Sequence, residues 1–186
     1  MGEPNAAVAM LLAGCAAVFG LVWPDFDQWL PLLTHRSVLT HGLWLPLAVA
    51  VAARRRAWLA PVAAGCALGI AVHCAPDLFP AAMRGYALIK VPFADGLDRP
   101  LSWAWLAATV VLGIALPLRW AEARWGRDGL GIAAAATAVL ALAYLVLHRE
   151  PPEMAVAVGG SLALAHPMAR RVAMARLLAM RRRPES

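Results

Sequence analysis

Three aspartates and three histidines are concentrated in two short stretches, WPDFDQWLPLLTHRSVLTHG at 23–42 and HCAPD at 73–77, of a chain otherwise rich in Ala, Leu and Val. Asp and His together are the donor set of a hard-to-borderline divalent cation. Ionisable groups close to a bilayer are costly unless they pair, bind an ion or do chemistry. His73 and Asp77 are four apart, so on a helix they share one face with about 5–6 Å between them. That spacing suits two ligands of one ion, or equally a histidine hydrogen-bonded to an aspartate where Pro76 ends the helix. Asp25 and Asp27 follow Pro24 and are two apart, so in an extended segment they point the same way. Two such carboxylates repel unless a cation lies between them; a solvated acidic turn is the alternative. The flanking Trp23, Phe26, Trp29 and Leu30 hold that segment at a membrane interface. His35 and His41 offer imidazoles suited to zinc, manganese or iron. Arg36 beside them has the planar fork that orients a phosphate or similar anion, or else snorkels at the interface.

These groups need a scaffold, and the composition names its class. The chain has 186 residues, 62% of them hydrophobic, with a mean hydropathy of +0.65, whereas soluble domains are about 45–50% apolar. The expectation is an all-α, polytopic helical membrane protein forming a single domain over 1–186. Six apolar runs are read, at 6–23, 38–53, 57–76, 101–118, 129–147 and 154–168. A crossing helix needs about 20 residues, so the second and sixth are short and require tilt or local thinning. The net charge of +6 is almost wholly arginine, since Lys90 is the only lysine. Those arginines interrupt or follow apolar spans and form no basic face, so nucleic acid is excluded as a partner.

Arg54, Arg55 and Arg56 separate runs two and three, and Arg119, Arg124 and Arg127 separate runs four and five. A basic tail, 171–186, follows the helices of 101–170. With both termini cytoplasmic, every arginine cluster falls inside, as the positive-inside rule demands. All six Asp and His candidates then fall at the outer face, within reach of one another. The 78–100 loop, with Lys90, Asp95 and Asp98, is expected to form a short interfacial helix or a lid over them.

Several features carry blander expectations. Cys15, Cys66 and Cys74 are an odd set inside apolar runs and serve as small packing residues. The box Leu12-Ala13-Gly14-Cys15 lacks the basic start of a signal peptide, so lipidation of Cys15 is not expected. AGCA occurs at both 13–16 and 64–67, either as a parallel two-helix repeat or by chance in an Ala-rich chain. His148, Arg149 and Glu150 read as an interfacial loop, and His166 as a bundle histidine toward the opposite face.

The blocks PDFD, HRSVLTHG and HCAPD, taken in order, resemble the P-D-x-D, H-R-x-x-T-H-S and H-x-x-x-D blocks of the LexA-regulated, inner-membrane-bound metal-dependent hydrolases. The resemblance covers the motif-bearing residues 1–100 and matches Asp25, Asp27, His35, Arg36, Thr40, His41, His73 and Asp77. Gly42 replaces the family's serine, and the His35–His41 interval is one residue longer, which leaves open which of the two histidines is a ligand. The resemblance implies a multi-pass protein of the bacterial inner membrane whose site faces the periplasm or exterior. On this reading Asp25, Asp27, His41, His73 and Asp77 hold one or two divalent ions, zinc or manganese before magnesium. Asp27 or His35 acts as base and Arg36 steadies developing charge, in hydrolysis of an ester or phosphoester, with membrane lipids among the substrates. The rival readings are an ion transporter or channel, and a non-catalytic membrane protein with a structural metal site.

Overall fold

The computed structural model describes residues 4–31, 33–79 and 88–166. The expected basic tail, the end of the sixth run and the 80–87 part of the long loop lie outside them. The described fold is all-helical, with no strand. Its α-helices are α1 (Ala6–Val22), α2 (Trp44–Ala53), α3 (Leu59–Cys74), α4 (Arg99–His148) and α5 (Glu153–His166). Short 3-10 turns, Trp23–Gln28 and Pro76–Leu78, extend α1 and α3.

α3 is the central helix. From Gly65 to Cys74 it is buried without interruption, and small residues let α1 lie against its backbone. A Cβ added at Gly65 would strike the Ala13 carbonyl, and one at Gly69 the Ala17 carbonyl and the Gly20 Cα. Small residues four apart permit such contact in any solvent and are the usual device within membranes. The pairs 13/65 and 17/69 rise together, so the helices run parallel. The next step of the same register pairs residue 21 with residue 73, where the His73 Nδ1 reaches the Leu21 carbonyl oxygen at 2.8 Å. The AGCA repeat is not this register. Gly14 of the first copy has nothing within 4 Å of an added Cβ, while Gly65 of the second is pressed against α1.

α4 is a hairpin. In a straight helix rising ~1.5 Å per residue, Trp105 and Tyr144 would lie roughly 58 Å apart. Yet Trp105 Nε1 donates to the His41 carbonyl at 2.6 Å, and Tyr144 Oη lies 3.2 Å from His73 Nδ1. The His41 and His73 rings are themselves 5.6 Å apart. The chain therefore reverses between these residues, and the non-helical angles fall at Trp125 (φ −131°, ψ 15°) and Gly126 (φ 65°, ψ −148°). Only glycine adopts the latter pair readily. Gly129 completes the turn, since a Cβ there would meet the Ala121 carbonyl at 2.5 Å. Runs four and five are thus the arms 99–124 and 127–148, with Arg119, Arg124 and Arg127 at their bend. The first arm packs on α3, with Gly113 against Ala67 and Ala71.

Two expectations are corrected. Run two, expected to be helical over 38–53, is helical only from Trp44, because the backbone of 36–41 is committed elsewhere. The Val38 N–H donates to the Lys90 carbonyl, and the Lys90 N–H to the Arg36 carbonyl, each at 2.8 Å. The Ser37 N–H is taken by an aspartate (below). The described part of the long loop is correspondingly no helix. It docks through a parallel bridge between Ser37 and Lys90, and the Ile89 N–H donates to the Ser102 hydroxyl at 3.0 Å. Asp98 belongs to α4 as its N-cap, accepting the Leu101 N–H at 2.9 Å.

One end of the bundle therefore gathers the last turns of α1, α3 and the second arm of α4, with the first turns of α2 and α4. The arginine-bearing turns at 54–56 and 119–127 lie at the other end.

Candidate functional site

Asp27 is the anchor of that end. It is fully buried. Its Oδ2 accepts the Ser37 N–H at 2.9 Å and the Thr40 hydroxyl at 2.8 Å. Its Oδ1 lies 3.5 Å from His35 Nδ1. A carboxylate accepting several donors in a dry place is a rigid tie, and this one fastens loop 35–41 to the end of α1. Asp25 does not share its direction, as an extended segment would require. Pro24 lacks an amide hydrogen, and the chain passes into a 3-10 turn instead of a strand. Asp25 accepts from Gln28 Nε2 at 2.8 Å and is close enough to His73 to act on its charge.

His41 and His73 are presented alike. A carbonyl oxygen only accepts, so the bond to Leu21 places the proton of His73 on Nδ1 and leaves the lone pair on Nε2. For His41, the Thr40 hydroxyl gives its proton to Asp27, so the Thr40 oxygen, 3.1 Å from Nδ1, is free to accept from the ring. The Nε2 of His41 is then a buried lone pair with no hydrogen-bond partner. It lies 3.9 Å from Asp77 Oδ2. Metal-binding histidines are commonly held in this manner, one ring nitrogen tied to a carbonyl or carboxylate system and the other open. Trp105, by gripping the His41 carbonyl, fixes the backbone beneath the ring.

Arg36 stands on the far side of Asp77, with its NH2 nitrogen 3.6 Å from Asp77 Oδ1 and a buried, unpartnered Nε. Its φ of 66° is left-handed, an unusual conformation for arginine, and the Lys90 amide bound to its carbonyl holds it there. His35 is half-exposed, its ring edge-on to that of His41 with centroids 5.9 Å apart.

The chain matches no known protein family, and no curated protein or solved structure is detectably similar to it. The family resemblance therefore rests on the three motif blocks alone.

The structure brings His41, His73, Asp77 and Arg36 to one place, with Asp27 and His35 behind and beside His41 and Asp25 on the 3-10 turn at the same end. As the side chains stand, no group of three or more His, Cys, Asp or Glu among the described residues closes around a single point tightly enough to hold an ion. The unpartnered His41 Nε2 facing a carboxylate, and the matching presentation of His73, do fit a divalent cation in donor type.

Three further residues reach this end from 144–150, which the sequence places in an apolar span and an interfacial loop. Tyr144 is buried against His73, and its ring stacks on His148 with centroids 4.3 Å apart. Glu150 lies near Tyr144 and Asp77. Burial pushes the Glu150 carboxyl above its usual range; His148 opposes the shift and Asp77 adds to it. The available signal was the i, i+4 pair Tyr144/His148 at the outer end of an otherwise apolar run.

Proposed function

We propose that this chain is a multi-pass inner-membrane protein with both termini cytoplasmic and six membrane segments, and that the His41–His73–Asp77 end is a metal-dependent hydrolytic site at the outer interface. The observation that carries it is the buried, unpartnered Nε2 of His41 facing Asp77, beside a second imidazole held in the same tautomer. Nothing in packing demands such an arrangement, and leaving a buried acceptor unpaired costs about 1–3 kcal/mol.

The membrane reading is supported by where the apolar surface lies. The most apolar stretches of the two long helices, Ala6–Gln28 and Arg99–His148, are only 22% and 17% buried. Leu11, Val18, Val51, Val139, Leu147 and Val156 all face outward. Water would penalise so much exposed hydrocarbon, and lipid would not. The α4 arms at ~1.5 Å per residue are roughly 39 and 33 Å long, against about 30 Å of hydrocarbon. The ten residues of α2 span only about 15 Å, so loop 35–43 completes that run, and His41 is buried within the protein.

Residues Asp25, His41, His73 and Asp77 would hold the ion, zinc or manganese by donor type. A bound divalent ion supplies Lewis acidity, polarising a substrate oxygen and activating water. Asp27 acts through others, fixing loop 35–41 and the orientation of His41. His35, half-exposed and tied to Asp27, is placed to take a proton at the mouth of the site. Arg36 has an unused Nε–H to set against charge growing on an ester or phosphoester oxygen. A site at this depth meets lipid headgroups, which makes membrane lipids the favoured substrates.

Metal content of the detergent-purified protein, beside Asp77→Ala and His41→Ala, tests this. One or more equivalents of zinc or manganese in the parent, lost from both variants while their thermal midpoints persist, is the expected result. Equal metal content in all three proteins defeats it.

A further inference from the structure

The proton count around His73 leaves something over. His73 Nδ1 carries a hydrogen, because its nearest partner, the Leu21 carbonyl at 2.8 Å, can only accept. Tyr144 Oη lies 3.2 Å from that same nitrogen. Nδ1 therefore has no lone pair to offer, and the tyrosine oxygen can only share the His73 hydrogen as a second acceptor. The hydroxyl proton of Tyr144 remains undirected. It lies in a buried setting, on a residue only 8% exposed, at the Nδ1 edge of the His73 ring. Buried hydroxyls normally place their proton in a bond. A second group of the cluster has the same character, since Arg36 beside Asp77 presents a buried Nε with no partner.

We infer that Tyr144 is a ligand-binding residue of this site, donating its hydroxyl proton to an oxygen of a bound anion such as phosphate or a phosphoester, together with Arg36. The inference rests on the metal-site reading above and extends it in two ways. It assigns an anionic oxygen ligand, and it makes the second arm of α4 part of the binding machinery, outside the residues that carry the motifs. Two donors flanking two imidazoles and a carboxylate suit a tetrahedral oxyanion bound to the ion. A purely structural tyrosine would instead keep its proton on a fixed protein acceptor.

The test separates the two readings. Zinc or manganese affinity, and inorganic phosphate affinity at saturating metal, are measured by calorimetry for the parent and Tyr144→Phe. The expected result is metal affinity within threefold of the parent and phosphate binding weakened roughly 10- to 100-fold, as for loss of a hydrogen bond to a charged group. Unchanged phosphate affinity overturns the inference. So does a parallel fall in both affinities, which would mean that Tyr144 acts only by positioning His73, and so does absence of phosphate binding in the parent. A parent that binds neither metal removes the metal-site reading itself, and this inference with it. Should Tyr144→Phe fold poorly, Tyr86→Phe leaves Tyr144 as the only tyrosine of the chain. Its Raman doublet should then move toward the donor signature when phosphate is added, and an unmoved doublet counts against the assignment.

Discussion

Gly14 and Gly65 occupy the same place in two identical tetrapeptides, Ala13–Ala16 and Ala64–Ala67, yet alanine should act oppositely at the two. At Gly65 the new Cβ would sit on the Ala13 carbonyl, 2.8 Å from its carbon and 2.9 Å from the Ala13 Cα. Relaxed carbon–carbon contact is about 3.5–4.0 Å and the Ala13 oxygen is nearer still, so α1 and α3 must part by about 1 Å or more along a stripe that is otherwise backbone against backbone. Overpacking of this kind costs about 1–3 kcal/mol. At Gly14 nothing lies within 4 Å, and alanine meets no obstacle. Both variants gain the same helix propensity, up to ~1 kcal/mol, so that term cancels in their difference. The remaining gap of about 1–3 kcal/mol corresponds to roughly 2–12 °C in thermal midpoint for a chain of this size. The assay is thermal unfolding in one detergent for the parent, Gly14→Ala and Gly65→Ala. The same separation should lengthen the His73–Leu21 bond two steps along the register, so metal affinity should fall in Gly65→Ala and not in Gly14→Ala, although neither is a ligand. Equal midpoints for the two variants would refute the 13/65, 17/69, 21/73 register and the account of how His73 is held.

Gly126→Ala should destabilise by about 1–3 kcal/mol, because φ 65° with ψ −148° is closed to a residue with a Cβ; a thermal midpoint at or above the parent's would argue against the α4 hairpin. Glu150 gives a pH signature. Its carboxyl is raised in the folded protein, so the fold binds more protons than the unfolded chain. Stability tied to this group is therefore full below the unfolded value of about 4.3 and is lost as pH rises through the raised folded value. With chelator present, Glu150→Gln should match the parent at pH 4 and exceed it in thermal midpoint at pH 7; equal midpoints at both pH values would place Glu150 in open water.

How much of this was legible follows from what kind of signal each part leaves. Helicity and the grouping of Asp25, His41, His73 and Asp77 at one end followed from run lengths and from the placement of arginines, both properties of the chain read in order. The loss of helix over 38–43 was hidden, because it depends on which backbone amides Asp27 and Lys90 claim from elsewhere in the chain. The divergence of Asp25 from Asp27 was closer to hand, since Pro24 following an apolar helix favours a continuing turn over a strand. Tyr144 was missed for a different reason. A lone tyrosine near the end of an apolar run is a common interfacial residue, and only the reversal at Gly126 returns it to His73.

The packing around α3 also bears on what the cluster can do. An ion path toward the arginine-bearing end would need polar groups stepping down from His73. Below it on α3 lie Ile70, Ala67, Cys66 and Ala63, all buried, with Gly65 and Gly69 closed against α1. Thr137 and Ser161 turn their hydroxyls onto their own helices, at the Ala133 and Ala157 carbonyls, while Thr109 is buried on the first arm of α4. The contact that brings α1 near enough to hold His73 is the same contact that shuts the interior beneath it. A cation held at His73 would thus meet a close-packed stripe on the α1 side of α3.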